Sequence, residues 1–245
     1  MLQPKISIIM QAYLGEYPGS RSNSIDKFIR AVNSFLNQSY KNTELIIVSD
    51  GCLITHDTYY SNFVKFENIK YVFVEKKGIN NMYDEIEGAK FYRGVPRQIG
   101  VEVSNGDLIT YMDSDDYLLP NFTELIIKEF NKNPNLDFYS NAAWFDNHVM
   151  EFPETSSFYP TNKSETYTIE GLDSTWVISQ MKPGMITMAP WLFIHKKVDD
   201  IRWRDTIGNS EDVDFNTRFR KIYKRGIQVV IPSYVRCHFT NAWDY

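Results

Sequence analysis

Asp107-Leu108-Ile109-Thr110-Tyr111-Met112-Asp113-Ser114-Asp115-Asp116-Tyr117 runs an apolar segment straight into three carboxylates. The apolar part has the length of a buried strand, and Asn121 follows as the N-cap of a helix of about three turns through Phe130. In an open α/β sheet this puts the carboxylates at the C-terminal edge of a strand, where loops and helix N-termini converge on ligands. Two carboxylates one residue apart suit a hard divalent cation such as Mg²⁺ or Mn²⁺, which can in turn take diphosphate oxygens. The alternative for Asp113, Asp115 and Asp116 is a solvated turn that caps the next helix. Three like charges beside an apolar strand favour the cation.

Outward from this turn, strands and helices alternate. Lys5–Met10, Glu44–Ser49 (ended by Asp50-Gly51) and Ile69–Glu75 read as strands. Ile25–Asn37, with Ser24 as N-cap, His56–Phe66 and Arg93–Ser104, with Pro96 near its start, read as helices. Towards the C-terminus, Leu136–Trp144 and Ala189–Lys196 fit strands, and Phe145–Thr168 irregular surface chain. Asp212–Arg225 fits a helix stopped by Gly226, and Ile227–Ile231 a last strand before Pro232. The pattern predicts one α/β domain over 1–245, with a central mixed, mostly parallel sheet flanked by helices.

The 245 residues, 43% hydrophobic and 23% charged, suffice for one sizeable core. A formal charge of −5 argues against a chain that coats nucleic acid. Two cysteines, Cys52 and Cys237, without a CxxC pair fit a reducing compartment. Neither a signal segment nor an apolar stretch of about 20 residues is present, so the expectation is a cytoplasmic protein with at most peripheral contact at the inner face of the membrane.

Several motifs, in order, resemble those of family 2 glycosyltransferases of the GT-A fold. Ile6-Ser7-Ile8-Ile9-Met10-Gln11-Ala12-Tyr13 resembles the opening strand and loop. Phe35 to Asn42 resembles the end of the first helix, and Glu44 to Gly51 the second strand. Pro96-Arg97-Gln98-Ile99-Gly100 and Asp113 to Tyr117 resemble the Arg-bearing helix and the DxD turn, and Asn209-Ser210-Glu211-Asp212 the xED motif. The chain departs from the pattern at Gln11, where a small polar residue is usual, and at Leu14, where Asn is usual.

The resemblance implies a role for each matching position. Asp50 would receive the nucleotide base, accepting the N3–H of a uracil, with Ala12 and Tyr13 lining the same pocket. Arg97 would face donor phosphate or ribose, and Asp113 and Ser114 the donor itself; Arg93 reads as a surface charge. Asp113, Asp115 and His238 would hold the metal. Asp212 would be the general base, with Glu211 and Asp214 as competing carboxylates, and Trp191 an aromatic wall at the acceptor. Residues 1–136 would form the nucleotide-sugar half and 137–245 the acceptor half.

The implied activity is inverting transfer from a nucleoside-diphosphate sugar, with a UDP-sugar the expected donor, to a glycan or lipid-linked hydroxyl. Analogy with the family suggests bacterial surface polysaccharide or lipopolysaccharide assembly. A sugar nucleotidyltransferase would want a Gly-rich basic loop near the N-terminus, and Gln11 to Gly15 offers none. A catalytically degenerate nucleotide-sugar-binding domain is the other alternative.

Overall fold

A computed structural model describes residues 2–16, 23–75, 94–140, 143–146, 174–177, 193–205, 211–223, 225–228 and 233–236. Its main sheet starts from β1 (Ile6–Ala12), β2 (Thr43–Asp50), β3 (Ile69–Val74) and β4 (Leu108–Asp113). These strands are parallel neighbours in the order β4-β1-β2-β3. On the other edge of β4 lie β6 (Phe138–Ser140), β9 (Phe193–Lys196) and β10 (Gly226–Gln228), giving β10-β6-β9-β4-β1-β2-β3 with β9 antiparallel to both its neighbours. This is the mixed, mostly parallel sheet expected.

Five helices occur among the described residues: α1 (Ser24–Leu36), α2 (Leu53–Asn62), α3 (Gly94–Val103), α4 (Phe122–Lys132) and α5 (Glu211–Ile222). Alternation along the strands supplies two cores. Ile6, Ile8 and Met10 of β1 join Leu45, Ile47, Leu108 and Met112 under Phe28, Val32 and Phe35 of α1 and Phe122, Ile126 and Phe130 of α4. Ile9 turns to the opposite face, where Ile109, Tyr111, Val101 of α3, Trp203, and Phe215 and Phe219 of α5 gather. Gly100 lets α3 lie close to the sheet, since a Cβ there would stand 2.4 Å from Cγ2 of Ile9.

A second, four-stranded sheet combines β5 (Tyr117–Leu118), β7 (Ala143–Asp146), β8 (Ser174–Val177) and β11 (Tyr234–Arg236) in the order β5-β11-β7-β8. It begins one residue past the acidic turn. The single strand expected over Leu136–Trp144 is therefore two, because β6 belongs to the main sheet and β7 pairs with β11 and β8. Of the stretch Phe145–Thr168, expected to be irregular, Phe145 and Asp146 belong to β7, and residues 147–168 lie outside the described residues.

Helix ends depart from expectation for local reasons. Ser24 is not the cap of α1: Asn23 stands there at φ 57, while the Ser24 hydroxyl donates to the Leu14 carbonyl at 3.1 Å. Asn121 holds the N-cap position of α4 without a side-chain bond, and Oε1 of Gln38 takes the Thr123 amide at 3.0 Å instead. α2 starts and ends earlier than His56–Phe66, as the chain turns after Asn62 to bury Phe63. α5 ends at Ile222, and Gly226 opens β10 rather than stopping the helix.

At the N-terminal edge of the sheet a buried carboxylate ties three strands' approaches together. Oε1 of Glu44 accepts from the Ser7 hydroxyl (2.6 Å) and the Asn105 amide (2.5 Å), and Oε2 pairs with Lys5 (3.0 Å) and Lys70 (3.1 Å). Burial pushes this carboxyl up, but the hydrogen bonds outweigh burial and leave it at about 2, against an ordinary 4.5.

Candidate functional site

The chain proceeds from β1 outward to β2 and β3, then returns to place β4 on the other side of β1. The order thus reverses between β1 and β4, and their C-terminal ends flank the crevice where open α/β sheets bind ligands. Gln11 is paired in register with Asp113 across this seam. Oε1 of Gln11 is buried there without a hydrogen-bond partner.

On one side of the crevice stand Ala12, Tyr13 and Asp50. Ala12 pairs with Ser49, which puts Asp50 just beyond the same level at the end of β2. Burial first, then the neighbouring Cys52 and Asp50, raise the Tyr13 phenol above its ordinary value, so it is a neutral hydroxyl beside a carboxylate. Leu14 is buried, and its amide donates to Oγ1 of Thr55, fixing the loop after β1 to α2.

The acidic turn is pinned from beneath. The Asp116 amide donates to the Asp113 carbonyl (3.2 Å), and the Asp113 amide to the Tyr234 hydroxyl (3.1 Å). That hydroxyl donates to Oδ2 of Asp116 at 2.7 Å. Arg30 of α1 donates to the Asp115 carbonyl at 2.5 Å and lies 5.0 Å from the centre of the Tyr117 ring. The three carboxylates therefore divide. Asp116 is 1% exposed and serves the turn, whereas Asp113, Ser114 and Asp115 are half-buried at the crevice.

Arg97 of α3, 4% exposed, reaches this turn from the other core. Its Nη1 donates to Oε1 of Glu211, the first residue of α5, and its Nη2 lies 3.6 Å from Oδ1 of Asp113. Asp212 follows, half-buried, with Oδ1 accepting the Val213 amide at 2.8 Å. Asp214 is otherwise engaged: Arg204 and Arg218 both donate to its carboxylate at 2.6–3.1 Å. Burial raises the Asp214 carboxyl, but the two guanidinium groups outweigh it and hold the group below its ordinary value. As a competitor for the base it is committed to structure.

Beneath Arg97, residues 201–205 form a strap between α3 and α5. The centre of the Trp203 ring is 5.1 Å from the Arg97 guanidinium carbon and 4.0 Å from the centre of the Phe215 ring, on which it stacks with an interplanar angle of 3°. Nε1 of Trp203 donates to the Tyr111 hydroxyl (2.7 Å), 2.8 Å from Nε2 of His195, whose Nδ1 is 2.7 Å from the Lys196 carbonyl. Satisfying all four groups requires the Nδ1–H tautomer, with Nε2 accepting the phenol. Burial pushes His195 down to about 4, and so it stays neutral. Oδ1 of Asp205 accepts the Gly94 and Val95 amides (3.1 and 3.2 Å), capping α3. Gly94 is required there, since a Cβ would meet the Arg204 carbonyl at 2.1 Å.

Ala12, Tyr13, Asp50, Arg97, Asp113, Ser114, Asp115, Glu211 and Asp212 thus lie around one sheet edge. Trp191, His238 and Arg93 fall outside the described residues. Arg30, Trp203, Asp205 and Tyr234 were not found by sequence reasoning. Trp203 had a signal in the alternation Ile201-Arg202-Trp203-Arg204; Arg30 and Tyr234 had none. Among the described residues no three His, Cys, Asp or Glu side chains converge as a ready metal cage. Asp113 and Asp115 still fit a Mg²⁺-type ion, which commonly takes one or two carboxylates and completes its shell with substrate phosphates and water. No helix among the described residues is long and apolar enough to cross a membrane.

The sequence model described as "Glycosyl transferase family 2" matches residues 90–188. An uncharacterized glycosyltransferase of Haemophilus influenzae is 29% identical over 146 residues, 60% of this chain and 50% of that protein. The chain spans half or less of the length of three curated relatives that it matches. Among solved structures, Staphylococcus aureus TarS 1-349 in complex with UDP-GlcNAc superposes with a TM-score of 0.63 at 17% identity, over 96% of this chain and 59% of that one. The mannosyltransferase PcManGT of Pyrobaculum calidifontis, in complex with GDP-Man and Mn²⁺, gives 0.58 at 11% identity, over 96% and 57%. Fold, motif order and the matched segment agree in making the chain similar to family 2 glycosyltransferases.

Proposed function

We propose that the protein is an inverting glycosyltransferase that moves a sugar from a nucleoside diphosphate, UDP being the expected carrier, to a hydroxyl of a glycan or lipid-linked acceptor. The observation that carries this reading is Asp113 and Asp115 at the C-terminal end of β4, beside the switch point, with Asp212 on the helix that Arg97 joins to the same turn. Residues 1–136 supply the donor half. Asp50 accepts from the base, Tyr13 and Ala12 border it, and the buried Gln11 oxygen is an acceptor for a donor hydroxyl. Residues 137–245 supply the acceptor half, with Trp191 as its aromatic wall and His238 as a further metal ligand.

A divalent ion held by Asp113 and Asp115 would neutralise the charge that builds on the departing diphosphate. The remaining chemistry belongs to the chain. Asp212 takes the proton of the acceptor hydroxyl as its oxygen bonds to C1 of the sugar, and the C1–O bond breaks with its electron pair leaving on the nucleoside diphosphate. One displacement inverts the anomeric carbon and needs no covalent nucleophile. Glu211 is held by Arg97, and the resemblance of Asn209-Ser210-Glu211-Asp212 to the xED motif is what supports Asp212 as the base. UDP-GlcNAc in TarS and GDP-Man with Mn²⁺ in PcManGT support a nucleotide-sugar donor and a metal. The setting proposed is bacterial surface polysaccharide or lipopolysaccharide assembly, in the cytoplasm at the inner face of the membrane.

Isothermal titration with UDP, GDP and dTDP, each with Mn²⁺ and then with EDTA, tests the reading. Selective binding that requires Mn²⁺ and is lost in Asp115→Ala is expected. Absence of binding by all three diphosphates in both conditions would sink it and leave a degenerate domain.

A further inference from the structure

We infer that Arg97 and Glu211 are a positioning pair, which fixes the helix carrying Asp212 against the acidic turn that holds the donor. This rests on the reading of Asp212 as base. Both side chains are 5% exposed, and they are separated by 114 positions in the chain. A buried ion pair is a poor source of stability, because desolvation cancels most of its attraction and apolar side chains of similar volume would serve as well. Its location supplies a better reason.

The guanidinium is gripped from three elements at once. Glu211 of α5 takes Nη1, Asp113 of β4 lies 3.6 Å from Nη2, and the Trp203 ring supports its face. Trp203 is itself fixed to β4 through the Tyr111 hydroxyl and to α5 through Phe215. The first residue of α5 therefore has a set distance from the donor turn, and Asp212 is the next residue along. A base displaced by about 1 Å loses on the order of 10²-fold in rate, so the contact with Glu211 acts on turnover through Asp212.

The test compares wild type, Glu211→Gln, Arg97→Lys and the double variant. Release of nucleoside diphosphate from UDP-GlcNAc and GDP-mannose with Mn²⁺ gives kcat and KM, and titration with UDP and GDP gives binding. Hydrogen exchange at the amides of residues 215–218, whose helical acceptors are residues 211–214, reports on the first turn of α5. Glu211→Gln should lower kcat by about 10-fold or more with KM within about threefold, and speed exchange at 215–218 but not in β1 or β2. Arg97→Lys should weaken binding as well, and the double variant should be no slower than Arg97→Lys alone.

A kcat of Glu211→Gln equal to wild type would overturn the inference. So would loss of the acidic limb of its kcat–pH profile, which would make Glu211 the base itself. A fall in kcat that only tracks the folded fraction, with exchange at 215–218 unchanged, would reduce the pair to a structural contact. If wild type neither binds nor turns over these nucleotides, the proposed function fails, and exchange at 215–218 still decides whether the pair sets α5.

Discussion

The two faces of the main sheet are built from the same strands and do different work. On the face covered by α1, α2 and α4, Ile8, Met10, Leu45 and Met112 meet Phe28, Val32 and Phe35 in an apolar core. On the face covered by α3 and α5, Ile9 and Ile109 share the interior with Tyr111, His195, Trp203, Arg97 and Glu211. Polar groups are costly to bury unless all are satisfied, and a satisfied network has few alternative arrangements. The first face supplies stability, and the second supplies stability together with a fixed geometry at the crevice.

Substitutions on either side sharpen this contrast. The largest expected effect is Asp212→Asn, which should lower turnover by about 10²- to 10⁴-fold, with the melting temperature and nucleotide titration close to wild type. A matching loss of stability would show that Asp212 belongs to the core rather than the chemistry. Next, Phe28→Ala, at a fully buried position of α1, should cost about 3–5 kcal/mol in denaturant unfolding, while each molecule that remains folded keeps its turnover.

Acid should act on the face covered by α3 and α5 in two stages, since His195 and Glu44 both lie on that side. His195 sits at about 4 when folded against an ordinary 6.5, so the stability it contributes is complete above pH 6.5 and is lost as pH falls towards 4. Glu44 sits at about 2 against 4.5, so its contribution is complete above 4.5 and is lost as pH falls towards 2. Each loss is on the order of 3 kcal/mol. Urea unfolding between pH 7 and 3 should show the earlier loss first, and a single step confined below pH 4.5 would remove His195 from the account. The smallest effect is Trp203→Phe, which deletes the bond to Tyr111 at about 1–2 kcal/mol and should lower turnover more than that loss of stability explains.

Sequence reading served the two faces unequally. β1, β2, β3 and β4 were legible because strands buried on both sides are continuous apolar runs, and the carboxylates at their ends followed from where such strands stop. Asp113, Asp115, Arg97, Glu211 and Asp212 were found through motif order. Their partnerships were not legible: Arg97 bonds Glu211 across 114 positions, and Tyr234 reaches Asp116 across 118, with no local pattern to announce either. Asp116 looks like Asp113 and Asp115 in sequence, which gives charge but not direction, and only the structure shows it turned inward to Tyr234. The split of Leu136–Trp144 between two sheets escaped notice since both pieces have the same composition, and pairing partners alone separate them.

The antiparallel strand β9 also has a consequence for how the chain folds. β1, β2 and β3 find their neighbours within about one helix of sequence, whereas Leu108 of β4 waits for Lys196. During synthesis, one edge of β4, directly behind the acidic turn, stays open for the time needed to make some 80 further residues, roughly 4–16 s at ordinary translation rates. The strand that carries the acidic turn thus keeps an unpaired edge, open to wrong pairing, until β9 closes it.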